Sequence, residues 1–210
     1  MKVLIAGEYS GTIRDAFIAK GHNAISCDLL PTEKDGPHIQ DDVLKHLNEN
    51  FDMMIGHPPC THIAVSGARH FSKKHKDGRQ QEAIEFFIKL VNAPITHIAI
   101  ENPVGIMSTI YRPPDQIIQP WMFGDEVQKT TCLWLKNLPL LKPTHIVSKG
   151  KLTVAKSGAV SSEWSSKTFN LPYEIRGHER SRTFQGIANA MAEQWNEPFP
   201  KQKILEEILT

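Results

Sequence analysis

The feature that most constrains the fold is a regular alternation over the first hundred residues. Short apolar runs are separated there by helical stretches. "KVLIAG" (2–7), "NAISCDLL" (23–30), "FDMMIG" (51–56) and "ITHIAIEN" (95–102) have the length and composition of buried strands, and each meets a glycine, an acid or an amide near its end. Between them lie "TIRDAFIAKG", closed by Gly21, the short capped helix "DDVLKHLNEN", and "RQQEAIEFFIKLVNA" (79–93). The last places Ile84, Phe87, Ile88 and Val91 on one face. Strands alternating with helices specify a parallel sheet with crossover helices on both faces. The expected fold is therefore α/β, an open, mostly parallel, Rossmann-like sheet that binds ligands at the carboxyl ends of its strands.

After residue 110 the pattern changes. "YRPPDQIIQPWMFGDE" is rich in turns, "TTCLWLKNLP" (130–139) reads as a strand, and 143–181 is polar and irregular. "RTFQGIANAMAEQW" (182–195) has helical spacing at Ile187, Ala190, Met191 and Gln194, and "KQKILEEILT" reads as a short peripheral helix. The expected organisation is a core over 1–140, a small basic insertion over 141–181, and C-terminal helices over 182–210 that return to the core.

With 210 residues the chain can bury a sizeable core. No apolar run is long enough to cross a bilayer, and the N-terminus reads as a first strand and not as a signal peptide. Cys27, Cys60 and Cys132 are widely spaced and form no disulfide framework and no CxxC, so a reducing cytoplasm fits best. The net charge is only +1, yet basic residues gather locally. Residues 69–79 hold Arg69, Lys73, Lys74, Lys76 and Arg79 against Asp77. Residues 149–182 hold Lys149, Lys151, Lys156, Lys167, Arg176, Arg180 and Arg182 against Glu163, Glu174 and Glu179. Such clusters can contact phosphates, or be solvated loops.

"AGEYSG" (Ala6, Gly7, Glu8, Tyr9, Ser10, Gly11) places a glycine turn between the first strand and the first helix, where a ligand can approach the backbone. It is not G-x-G-x-x-G, and Glu8 would repel a pyrophosphate, which argues against NAD. Asp28, followed by Leu29, ends the second strand where ribose hydroxyls are usually bound. S-adenosylmethionine fits: it carries a nucleoside without pyrophosphate, and its positive sulfonium tolerates acids.

In "GHPPCTHIAVSG" (56–67), Pro58 and Pro59 end a strand and stiffen the loop that presents Cys60. A thiol there suits covalent catalysis. The rivals are a metal site made with His57 and His62, though no CxxC accompanies them, and an inert buried thiol. Glu101, in "IAIENPVG" (98–105), ends the next strand. It can be a helix cap or a satisfied buried acid, or it can hold a ring nitrogen opposite the thiol. Together the two suit addition of a thiolate to C6 of a pyrimidine while the glutamate holds N3, which makes C5 nucleophilic.

On these motifs the chain resembles the cytosine-C5 DNA methyltransferase family, in a short version. The nucleophile motif is matched by proline–cysteine with Gly67 seven residues on, and the Glu-Asn motif by "ENPVG". "IAGEYSG" matches the first motif loosely, Asp28 the second-strand acid, Asp42 the acid that contacts the adenine amino group, and Gly186 and Asn189 the closing motif. The resemblance spans roughly 1–140 and 180–195. It implies a methyltransferase-type sheet, a cofactor site of 6–11, Asp28, Leu29, Asp42, Pro58 and Asn189, and no metal. It also implies Cys60 as nucleophile, Glu101 on N3, and Asn102 supporting the loop. Pro59 and either Lys129 or Thr131 would meet the base, and Arg69, Lys149, Lys151, Arg180 and Arg182 would meet DNA phosphates. The sequence departs from the family at "GDEVQKTTCLWL", where no Gln-x-Arg-x-Arg is found, and in the shortness of 143–181, too small for an extensive base-reading domain. The same chemistry on a nucleotide, a single strand or another pyrimidine is the alternative expectation, followed by a non-catalytic nucleic-acid-binding relative.

Overall fold

The structure is a computed structural model and describes residues 1–154, 158 and 160–196, with the side chains of 69, 70, 173 and 174 outside the description. The expected helix at 201–210 and the Arg69 side chain therefore lie outside the described residues.

Nine strands and seven helices are described. In chain order they are β1 (Lys2–Ala6), α1 (Thr12–Ala19), β2 (Asn23–Asp28), β3 (His38–Gln40), β4 (Met53–Gly56), α2 (Phe71–Lys76), α3 (Arg79–Val91) and β5 (His97–Asn102). There follow α4 (Met107–Ile110), β6 (Gln116–Ile118), β7 (Thr131–Lys136), β8 (Leu152–Val154), β9 (Val160–Ser162), α5 (Glu163–Phe169), α6 (Tyr173–Ser181) and α7 (Gln185–Gln194). Seven strands form one sheet in the order β3-β2-β1-β4-β5-β7-β6. β1, β2, β3, β4 and β5 are mutually parallel, and β7 runs antiparallel to both β5 and β6. This is the open, mostly parallel α/β sheet that the sequence leads one to expect.

Side chains alternate across the sheet with the period of two that strands impose. Val3, Ile5, Met53, Ile55, Ala99 and Leu133 face α1 and α7, where Phe17, Met191 and Trp195 complete a core. Leu4, Met54, Ile98, Ile100 and Trp134 face the other way, against Phe87 and Leu90 of α3. Both faces are buried, which is why the strands read as unbroken apolar runs.

Two local expectations are corrected. "DDVLKHLNEN" makes a single 3-10 turn at Val43–Lys45, and Asp42 is its cap, accepting from Leu44 N at 3.0 Å. The span 143–181 is not irregular throughout, since β8 and β9 form an antiparallel hairpin that leads into α5 and α6.

Candidate functional site

The carboxyl ends of β1, β2, β4 and β5 and the start of β7 lie at one edge of the sheet, because β7 is reversed and its Cys132 pairs with Asn102. At β1 the chain turns through Gly7, whose φ of +75° suits glycine, and a Cβ there would sit 2.6 Å from the His57 carbonyl. The first turn and the loop that carries Cys60 are therefore packed backbone to backbone.

The polar side chains of the glycine turn are engaged by the protein itself. Glu8 is buried and accepts from Ile13 N at 2.8 Å and Arg14 N at 3.2 Å, so its carboxylate covers the N–H groups at the start of α1. Ser10 donates to Glu8 at 3.2 Å and accepts from Thr12 N at 3.3 Å. Tyr9 shares a 2.8 Å hydrogen bond with Ser181 and donates to His178 O at 3.1 Å, which clasps the end of α6. These three residues, expected to bind cofactor, shape the turn and tie down the C-terminal segment through these bonds. Asn189 is exposed on α7 and accepts from Gln185 Nε2 at 2.9 Å, while the Gly186 Cα abuts the Phe123 carbonyl. The Ala6 carbonyl accepts from His57 N at 2.8 Å and Gly7 N donates to Cys27 O at 2.7 Å, so what remains open on this side is half-buried Asp28 and Leu29, 72% exposed. Asp28 Oδ1 accepts from Leu30 N at 2.9 Å.

Sequence reasoning missed what fixes the loop after β2. Arg14 is fully buried, with Nη1 donating to Thr32 Oγ1 and Nη2 donating to the Lys34 and Asp35 carbonyls, each at 3.1 Å. Gly11 and Gly36, both at positive φ, crowd its guanidinium. An arginine in an amphipathic helix ordinarily snorkels to water, so the helical pattern carries no sign of this role.

The loops after β4 and β5 are zipped together. Val65 N donates to Val104 O and Ile106 N to Ile63 O, both at 3.0 Å, and Ala64 bridges Gly105. Asn102 Nδ2 donates to Pro58 O at 2.8 Å. From beneath, Lys74 Nζ holds Thr61 O at 2.5 Å and Gln80 Nε2 holds His62 O at 3.2 Å. Pro58 is buried, Pro59 exposed and Cys60 half-buried.

Glu101 is buried at the end of β5, next to β4, with Oε2 3.5 Å from His57 Nδ1 and 3.4 Å from Thr183 Oγ1. Burial pushes the Cys60 thiol up from its ordinary value, and the charges of Lys129 and Arg180 pull it back. Burial lowers Lys129 from its ordinary value, and the negative charges of Glu101 and Cys60 pull it back up. Lys129 Nζ donates to Arg182 O at 3.0 Å and lies 5.9 Å from the Trp164 ring and 5.7 Å from that of Phe184. Arg180 stands 5.4 Å over Trp164 and donates to Thr168 Oγ1 at 2.9 Å.

The charge of Arg180 bears on the Cys60 thiol. Arg182 pairs with Glu33 at 2.8 Å and Glu179 at 3.5 Å. Thr131 is buried, with its hydroxyl donating to Lys129 O at 3.3 Å. Lys149 and Lys151 are exposed and border a cavity of ≈ 220 Å³ together with Trp164 and Lys167. Among the described residues, no group of three or more His, Cys, Asp or Glu is arranged to hold a metal, and no helix is long and apolar enough to cross a membrane.

No family model and no curated protein matches the chain. Among solved structures, it is similar to a protein described provisionally as a DNA modification methyltransferase encoded within an E. coli prophage. The identity is 17% and the TM-score 0.48, over 70% of this chain and 52% of that one. The chain thus spans about half the length of that protein. A likeness at this level is one of fold and says nothing of this chain's activity.

Proposed function

We propose that the chain is an S-adenosylmethionine-dependent methyltransferase acting on C5 of cytosine in DNA. The observation that carries the reading is the placement of Cys60 and Glu101 at the ends of adjacent parallel strands, on loops locked to each other, with Lys129 and Arg180 facing the thiol.

The residues at β1 and β2 fit the cofactor. With Glu8 already covering the N–H groups of α1, no phosphate can take that position, and S-adenosylmethionine has none. Gly7 makes the turn that brings the first strand end against the Cys60 loop, Asp28 can accept from ribose hydroxyls, and Leu29 offers an apolar face to the adenine. When bound, the cofactor supplies an electrophilic methyl group.

The chain's own residues would do the rest. The target base is taken out of the stack. Cys60, as thiolate, adds to C6, and the electron pair displaced from the ring is met at N3 by the proton that Glu101 holds. C5, now nucleophilic, takes the methyl group. Loss of the C5 proton, expulsion of Cys60 from C6 and return of the N3 proton to Glu101 restore the aromatic ring. Lys129 and Arg180 favour the thiolate, and Lys129 has N–H groups left for the base carbonyl.

One observation favours a second acceptor class. The segment that would read sequence is one short hairpin with two short helices, and its end lies directly on the site through Thr183 and Arg182. Single strands or nucleotides need no major-groove reader. Transfer of labelled methyl to duplex DNA, single strands and dCMP, run side by side, tests both. Transfer to duplex supports the first reading, transfer confined to the others supports the second, and transfer to none overturns both.

A further inference from the structure

Only one oxygen of Glu101 is held. Oε2 lies near both His57 Nδ1 and Thr183 Oγ1, whereas no hydrogen bond reaches Oε1 among the described residues. His57 is itself fixed in place, because its N donates to Ala6 O at 2.8 Å and the Gly7 backbone packs on its carbonyl. Its other ring nitrogen, Nε2, is shut away from solvent without a partner among the described residues.

That enclosure selects a tautomer. A proton on Nε2 alone would be an orphan donor and would leave the Nδ1 lone pair facing a carboxylate. A proton on Nδ1 lies on the side of Oε2, 3.5 Å away. We infer that His57 is a positioning residue: protonated at Nδ1, it works with Thr183 to fix Oε2, so that Oε1 alone faces the substrate ring. The 3.5 Å separation is long for a hydrogen bond, and catalytic contacts commonly tighten when substrate enters. This rests on the methyl-transfer reading of Glu101.

The test compares His57→Asn, which keeps an N–H donor near the Nδ1 position, with His57→Phe, which keeps a ring but no donor, and adds Thr183→Val. Single-turnover methyl transfer should fall about 10- to 100-fold in His57→Phe, with cofactor affinity and KM for DNA changed by no more than about twofold. His57→Asn should recover most of the rate, and Thr183→Val should lose less than His57→Phe. Equal rates in His57→Phe and wild type, or equal losses in Phe and Asn variants that track their melting temperatures, would overturn the inference. Ring ¹⁵N shifts of His57 in the wild-type protein decide the tautomer without any turnover. A proton on Nε2 and none on Nδ1 at neutral pH defeats the inference. A wild-type protein inactive on every acceptor but carrying the Nδ1–H form defeats the methyl-transfer reading and leaves the tautomer assignment standing.

Discussion

The two halves of the site edge use the same fold position in opposite ways. At β1, the polar side chains of the turn are satisfied within the protein: Glu8 caps α1, Ser10 bonds Glu8, and Tyr9 clasps α6. At β4 and β5, Cys60, Glu101 and Lys129 are left to influence one another. Strand ends gather loops in either case. What separates a surface that holds a ligand by its backbone from one that does chemistry is whether its polar groups are internally satisfied.

That contrast can be broken from the chemical side first. Cys60→Ser should reduce methyl transfer at least about a thousandfold. Calorimetric affinity for S-adenosylmethionine should stay unchanged, since Cys60 lies outside the β1–β2 side. DNA carrying 5-fluorocytosine should form a denaturation-resistant adduct with wild type and none with the variant. Glu101→Gln, which keeps shape and lacks the carboxylic proton, should cost about a hundredfold in rate with DNA affinity in gel-shift assays preserved.

From the binding side, Asp28→Ala should weaken S-adenosylmethionine by about 2 kcal/mol, some thirtyfold, as read by calorimetry. Undiminished affinity would remove Asp28 from the cofactor site. The smallest effect sharpens the electrostatics. A nearby cation stabilises the thiolate, so Lys129→Gln should push the already raised Cys60 thiol further up. The alkaline rise of iodoacetamide labelling should then move to higher pH, with labelling near neutrality about tenfold slower. Labelling that is unchanged would mean the ammonium does not act on the sulfur.

Much of the sheet was legible because fully buried strands write themselves as apolar runs. β1, β2, β4, β5 and β7 fall within the segments that composition marks. β3 and β6 did not show, being three residues each, "HIQ" and "QII", and defined by pairing with β2 and β7 and not by any pattern of their own. α5 and α6 lack an apolar stripe, so periodicity is silent on them. The signs present were local: Ser162 caps α5 by accepting from Ser165 N at 3.2 Å, Glu163 stands in its first turn, and Pro172 precedes α6. At the site, a proline pair and a strand-end acid could be read because they alter the backbone locally. Thr183, Arg14 and the redirection of Tyr9 could not, because each depends on a partner far along the chain, 82, 20 and 172 residues away in the bonds that engage them.

The zipper between the loops after β4 and β5 has a kinetic consequence. Cys60 and Glu101 ride on one stiff plate, braced by Lys74 and Gln80, so the spacing between them is not a variable the molecule can use to admit a substrate. Passage in and out would then fall to the opposite wall, the α6–α7 connection, where Thr183 reaches Glu101, Arg182 O accepts from Lys129 and Ser181 meets Tyr9. On the function proposed above, a few exchangeable hydrogen bonds on that wall would set how long a base stays, while Cys60 and Glu101 keep still.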